Sequence, residues 1–336
     1  MRDISFCLLI IVLFCSPGRL FGQDPIYSQF YASPILINPA FAGTSHHPVV
    51  YSHYRNQWPS IDQAYTTFSV TVDQFSDSNN SGYGFSLLSD NSGNGILRTI
   101  KAAGVYSYAL KMQNDFTLRI GLEPAIIQSR LDWDRLIFSD QIDPITGPIT
   151  QGGTVLPGSE IRPQELTDYS FDLSTGFLLS SPYFYAGLSL EHLNNPNPGF
   201  LDSTGDFVGI PTRYSLHFGT QINFDFRNKV DKGSFITPNA LLVKQGDFYQ
   251  VNLGFYSKIS ALLTGVWLRH TFNNADALIF SVGTKYEDFK IQYSFDYTVS
   301  DLNINSGGAH EISFRYIISS VGTKESKIND CLSIFR

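Results

Sequence analysis

From Phe289 to Tyr297 the side chains alternate without interruption, with Phe289, Ile291, Tyr293, Phe295 and Tyr297 on one side and Lys290, Gln292, Ser294 and Asp296 on the other. Successive side chains of a strand point to opposite faces, so this is a strand with one apolar and one polar face. Similar segments of about ten residues recur along the chain, as in barrels that turn apolar faces toward lipid and polar faces inward. A water-soluble double sheet would instead bury the apolar faces between its layers.

The beginning of the chain bears on that choice. Arg2, an apolar stretch from Ile4 to Phe14, and a break at Pro17 and Gly18 predict a cleaved secretory signal over residues 1–22. Bulky Phe14 before Cys15 argues against a lipid anchor. Cys7 and Cys15 fall in that segment, so the mature chain keeps Cys331 alone and forms no internal disulfide. No later run approaches the roughly 18 consecutive apolar residues of a membrane helix, which leaves any crossing to strands. The net charge is −7 and the Lys and Arg residues are scattered, which excludes nucleic acid as a partner, since that needs a basic patch.

Alternation and turn residues predict fourteen strands, near 49–58, 64–75, 82–89, 96–110, 115–131, 168–180, 182–193, 211–225, 234–243, 247–258, 261–272, 276–287, 289–297 and 308–318. Pro124 and Pro238 weaken two of them, because proline cannot donate to a ladder. Even-stranded outer-membrane barrels keep both termini in the periplasm, with longer loops outside. The odd-numbered connections should then be the long ones, as those after strands five (132–167), seven (194–210) and thirteen (298–307) are. Trp58 and Trp133 fall at outer strand ends, where an interfacial girdle belongs, whereas Trp267 falls mid-strand. The expected fold is all-β: a transmembrane antiparallel β-barrel of about 14 strands over 49–318, with an N-terminal plug-like or periplasmic segment at 23–48 and a periplasmic tail at 319–336.

Candidate chemistry is sparse. Asp90-Asn91-Ser92-Gly93-Asn94-Gly95 opens like a calcium loop, but the twelfth position is Lys101 where a bidentate Glu is needed, so it reads as a hairpin loop. Ser215 and His217 share a strand face, and alternation points them into the lumen, away from any lipid substrate. His46 and His47 are adjacent and face opposite ways. Asp140 and Asp143 flank Gln141-Ile142 before Pro144, a turn-forming pattern. His310 and Glu311 read as neighbours on opposite faces. No catalytic residue, cofactor or metal site is expected, and the chain reads as a non-enzyme.

Several separated stretches resemble one family. Gln23-Asp24-Pro25-Ile26-Tyr27-Ser28-Gln29-Phe30 and Asn38-Pro39-Ala40-Phe41-Ala42-Gly43 are followed by Arg55-Asn56-Gln57-Trp58, Asp132-Trp133, Phe138 to Pro144, His192-Leu193 and Gly307 to Ser313. In order and spread these resemble the PorP/SprF family of type IX secretion system membrane proteins. The resemblance implies an outer-membrane barrel of gliding or secreting Bacteroidota-type bacteria. It would support secretion or surface attachment of client proteins, such as adhesins carrying type IX C-terminal domains, beside other components of that system and in contact with the lipid bilayer. Leu332-Ser333 after Cys331 departs from the proline expected in the family.

The residues of 23–44 are too rich in proline for a strand and too aromatic for a free linker, so the segment should pack against protein, in the lumen or as a periplasmic lid. Tyr27, Phe30, Asn38 and Pro39 there, with Asp140, Gln141 and Asp143 in the longest loop, are the expected partner-binding residues. Asn38-Pro39-Ala40 also resembles the N-terminal hatch of FadL-type transporters, which leaves a channel for small apolar solutes as the alternative.

Overall fold

The structure is a computed structural model and describes residues 23–61, 64–143, 147–148, 150–151, 154–155, 158–160, 162–163, 165–197, 209–224, 234–271, 274–299 and 306–318, with Leu332 and Phe335. The expected signal segment and Cys331 lie outside the described residues.

Fourteen strands form the wall: β1 (Val49–Gln57), β2 (Tyr65–Ser76), β3 (Ser81–Ser92), β4 (Leu97–Lys111), β5 (Thr117–Leu131), β6 (Thr167–Ser180), β7 (Phe184–Glu191), β8 (Arg213–Thr220, continued by Ile222–Asn223), β9 (Phe235–Gln245), β10 (Phe248–Ile259), β11 (Leu262–Thr271), β12 (Asn274–Tyr286), β13 (Phe289–Thr298) and β14 (Ala309–Ile317). Every expected strand is present, the largest displacement of an end being from Ser89 to Ser92. Each strand pairs antiparallel with its chain neighbours, and β1 pairs with β14 from Val49 opposite Ile317 to Gln57 opposite Ala309, which closes the sheet. Closure matters because an unpaired backbone group in hydrocarbon costs several kcal/mol.

The two prolines mark interruptions in this ladder. Pairing between β4 and β5 runs up to Ala103 opposite Ala125 and resumes at Tyr106 opposite Leu122, skipping Glu123 and Pro124. Likewise β8 breaks at Gln221, between Gly219 opposite Asn239 and Ile222 opposite Ile236, beside Pro238. A residue without an N–H removes one rung, and the neighbouring strand yields there.

Alternation sorts the side chains as the sequence suggests. Phe85, Leu122, Ile126, Phe171, Leu216, Phe218, Leu253, Phe280 and Ile291 stand exposed on the outer surface. So much apolar surface suits lipid and not water. No helix among the described residues is long and apolar enough to cross a membrane. Trp267 fails as a girdle residue because it occupies an inward position of β11 and is buried.

The apolar core lies inside the cylinder. Phe30, Tyr31, Ile35, Ala40 and Phe41 of the N-terminal segment cluster with Leu178, Tyr185, Leu241 and Trp267 of the wall. The segment forms three short 3-10 turns, Phe30–Ala32, Pro34–Leu36 and Pro39–Phe41. Proline opens the second and third, where its fixed φ and missing N–H are tolerated. Leu332 and Phe335 are also buried there, with Phe335 ring to ring with Phe41 at 4.4 Å, so these two residues of the tail do not hang free as the sequence suggested.

Candidate functional site

The N-terminal segment meets the inner wall at three levels. At the first, Glu311 of β14 accepts the backbone N–H of Ser28 at 2.6 Å through Oε1 and that of Gln29 at 2.9 Å through Oε2. The same carboxylate is paired with Arg55 and lies 3.1 Å from His53 Nε2. The Ser28 hydroxyl donates to Asp296 at 2.5 Å and accepts from Arg55 at 2.7 Å and Arg269 at 3.0 Å, which uses its one hydrogen and both lone pairs. The Gln29 amide reaches Ser294 and accepts from Ser313. Tyr27 stacks on His53 with ring centroids 4.0 Å apart and donates to Ser69. Burial above all pushes the Tyr27 hydroxyl pKa well up, so it stays protonated. Buried charges need this density of partners to offset their desolvation.

At the second level, Tyr31 stacks on Trp267 at 5.0 Å, and Phe30 meets the same indole edge-on at 6.3 Å. The indole N–H donates to Asn239 at 2.8 Å and the Tyr31 hydroxyl to Ser281 at 3.2 Å, so both polar tips are satisfied.

At the third level the wall carries only glycines and serines. Gly82, Ser107, Gly121, Gly176, Ser189 and Ser215 are successive cross-strand partners from β3 to β8, a row of small inward residues. Residues 38–43 lie directly on it. A Cβ at Gly82 would strike Ala42, at Gly121 would strike Pro39 and Ala40, and at Gly176 would strike Asn38. Asn38 is fully buried and accepts from Ala40 N at 2.9 Å, an N-cap on the third turn. Its amide nitrogen donates to the carbonyls of Phe177 and Leu188 and lies 3.0 Å from His217 Nε2. The Ala42 carbonyl accepts from Ser107 and Arg119, and Gly43, at φ +70°, donates to Asp73.

Nearer the beginning of the segment, Asp24 is 2.7 Å from His192 Nε2, and His192 Nδ1 is 3.0 Å from Asp172. Lys101 completes the cluster by bridging Glu123 and Asp172. Burial disfavours the charged form of His192, but Asp24 and Asp172 outweigh it and push the ring up to about 10. Burial raises the Asp24 carboxyl, yet His192, Arg213 and Lys101 together hold it well below the usual carboxylate range. Asp24, Glu191 and His192 are the one group of metal-ligand type among the described residues. A histidine whose two nitrogens both face carboxylates is held in its protonated form, and a metal at this set would have to displace that proton.

Between the segment and strands β3–β9 lies a cavity of about 480 Å³, lined by Ile26, Phe30, Ile35, Leu36, Ile127 and Leu241 among others. It sits toward the end of the barrel that carries the longest connections, the outer end by the strand-parity rule.

Of the residues singled out from sequence, Tyr27, Phe30, Asn38 and Pro39 come together inside the cylinder and are all buried. Asp140, Gln141 and Asp143 stand apart, in the connection between β5 and β6. There Gln141 accepts from Phe138 N and exposed Asp140 from Ser159 N. That bond holds the Asp140 carboxyl below its ordinary value. Ser215 and His217 face the lumen as alternation requires. Asp90 accepts from Thr67 and Ser92, while Gly93, Asn94 and Gly95 take the positive φ of a hairpin turn. His46 reaches Asp77 at the surface. His310 bonds outward to Tyr293 while Glu311 faces in. The sequence named Glu311, Arg55 and Asp296 only as strand or motif residues and gave neither them nor Arg269 a role in holding the segment, although charged residues at inward positions of alternating strands are the signal that would find them.

A closed, lipid-facing, antiparallel meander of fourteen strands defines an outer-membrane β-barrel protein. The chain belongs to the PorP/SprF family of type IX secretion system membrane proteins, whose family model matches residues 20–316. It is therefore an outer-membrane component of that system. Among solved structures it is similar to the Ralstonia pickettii toluene transporter TbuX, at 7% identity over 85% of this chain and 93% of that one, with a TM-score of 0.49. A Pseudomonas aeruginosa FadL homologue matches at 10% identity over 89% and 100% of the two chains, TM-score 0.47. The KdgM porin matches at 8% identity over 81% and 99%, TM-score 0.38. A search of curated proteins finds no match to this chain.

Proposed function

We propose that this barrel supports the secretion or surface attachment of particular client proteins, adhesins with type IX C-terminal domains among them, by docking and without chemistry of its own. The observation that carries this reading is the seating of residues 23–48 against the inner wall at three levels, from Glu311 to the glycine row. A lumen so filled favours a barrel that offers surfaces over one that offers a wide passage. On this reading the segment is a plug. Tyr27, Phe30, Asn38 and Pro39 hold it in place, and the connection between β5 and β6, with Asp140, Gln141 and Asp143, is the face presented to the client. The test is a surface inventory of exported proteins in a strain lacking the barrel, complemented either by the full chain or by a chain without residues 145–157. Loss of specific surface proteins, restored by the full chain and not by the shortened one, is expected. Full restoration by the shortened chain would refute loop docking.

A second reading, a channel for small apolar solutes, draws on the largely apolar cavity at the outer end. Uptake of apolar solutes into liposomes carrying the purified barrel would favour it.

A further inference from the structure

Arg98 of β4 and Arg130 of β5 are direct cross-strand partners. Their chain neighbours Leu97, Thr99, Ser129 and Leu131 line the inner cavity, so alternation turns both arginines outward, and both are exposed. Residues so paired stand about 5 Å apart at Cβ, where two like charges destabilise the sheet. The protein does not relieve that repulsion. The rung that carries the pair runs through Thr66, Asn91, Arg98, Arg130 and Thr167, from β2 to β6, and holds no acid. Among the described residues neither arginine has an ion-pair partner: Asp132, next but one to Arg130, pairs with neither, and Asp134 is taken by Arg162.

The level of the pair on the wall identifies what reaches it. On β5 the outward positions Leu118, Ile120, Leu122, Pro124 and Ile126 form the apolar band, and Arg130 follows beyond Gln128. Gln128 donates to the hydroxyl of outward Tyr169 at 3.0 Å, and Trp133 lies just past the strand, aromatic residues of the kind that mark the headgroup level. Both arginines stand at the strand ends joined by the odd-numbered connections, the outer end of the barrel. We propose that Arg98 and Arg130 together clamp the phosphate of an outer-leaflet lipid whose acyl chains lie along Ile126 and Phe171. A guanidinium fork matches phosphate oxygens bidentately, and an anion between two such forks turns their mutual repulsion into attraction to a shared partner. The inference rests on the placement of the barrel in the outer membrane and on neither reading of function given above.

Native mass spectrometry of the full chain in neutral detergent tests it, with diphosphoryl lipid A as the probe and its dephosphorylated form and inorganic phosphate as references. Diphosphoryl lipid A should be retained about tenfold more tightly than the dephosphorylated form, the margin expected of hydrogen bonds between charged groups. The double variant Arg98→Gln/Arg130→Gln should lose that margin, and each single variant should lose part of it, so the test survives should the double variant fail to fold. Lys244, an exposed cation at the outer end of β9, already sits over the Tyr249 ring at 5.0 Å, and Lys244→Gln should bind as the parent does. Inorganic phosphate in excess should not displace the lipid, since it lacks the acyl chains. Heat-dependent gel mobility verifies that each variant is folded. Equal retention of the dephosphorylated lipid, displacement by inorganic phosphate, an undiminished margin in the arginine variants, or an equal loss in Lys244→Gln would each overturn the proposal.

Discussion

The Glu311 carboxylate of β14 and the backbone N–H of Ser28 lie 2.6 Å apart, an acceptor on the barrel wall holding the main chain of the segment inside it. Because Gln29 N–H binds the second oxygen at 2.9 Å, the carboxylate acts as a two-pronged clamp that any residue but proline could satisfy from the segment's side. The side chains add specificity, with Ser28 among Asp296, Arg55 and Arg269.

Replacing that clamp should loosen the segment before it opens the wall. Glu311→Gln removes the closer of the two carboxylates paired with buried Arg55, leaving Asp296 at 3.3 Å, a loss of at most the roughly 3–5 kcal/mol of a broken buried pair. Hydrogen exchange at the Ser28 and Gln29 amides should accelerate strongly while the β1–β14 ladder stays protected. Unchanged exchange at both amides would show that the carboxylate is not what holds them.

The glycine row makes a sharper demand. Gly121→Val or Gly176→Val places carbon where Pro39, Ala40 or Asn38 now sit, whereas Gly104→Ala meets nothing within 4 Å. The two valine variants should be destabilised by about 1–3 kcal/mol or expel residues 38–43, as overpacking requires, and should raise single-channel conductance in planar bilayers. Gly104→Ala should match the parent in both respects. A valine variant with parental stability and conductance would mean that the segment does not rest on this row.

Much of the wall was legible because a period of two leaves an unmistakable trace: Phe289 to Tyr297 announce β13, and the parity of long connections fixes the count. The segment was legible only as something that had to pack, since prolines and aromatics exclude a strand and a free linker without saying where they go. Asn38 and Pro39 were legible as residues that should contact protein, but the floor beneath them was not. Gly82, Gly121 and Gly176 belong to three strands and form one row only through register, which no local pattern reveals. His310-Glu311 shows the opposite failure. The pattern assigned each to its correct face, but nothing local marked Glu311 as the residue that grips Ser28.

Trp267 should report on the seating of the segment. It is buried against Tyr31, with its N–H bonded to Asn239. In a chain with Trp58 and Trp133 changed to Phe, its fluorescence should resist quenching by acrylamide, and Tyr31→Ala should make it accessible. Trp267→Ala should cost about 3–5 kcal/mol of stability, the usual range for emptying a buried aromatic site. Ready quenching in the chain that retains Tyr31 would contradict the stacked arrangement.

The contact between Asp24 and His192 sets a pH window for the beginning of the segment. His192 is raised from 6.5 to about 10 on folding, so its contribution is complete below about 6.5 and fades as the pH climbs through about 10. Asp24 is shifted the other way, from 3.8 downward, so its contribution is present above that value and is lost only as the pH falls through its lowered folded pKa. Between these limits both partners stay charged, and the contact should be insensitive to pH across the neutral range, unlike an ordinary histidine. Proton resonances of the His192 ring should show no titration between about pH 5 and 8, a window in which an unperturbed imidazole would lose its charge. The protection factor of the Asp24 amide, whose N–H donates to Gln245 at 3.1 Å, should fall only at strongly alkaline or acidic pH, once the intrinsic pH dependence of exchange is divided out. In His192→Gln the alkaline loss of protection should vanish, because the group that loses its charge there is gone. A ring midpoint near 6.5, or an alkaline loss of protection that survives in His192→Gln, would show that this pair does not fasten the segment.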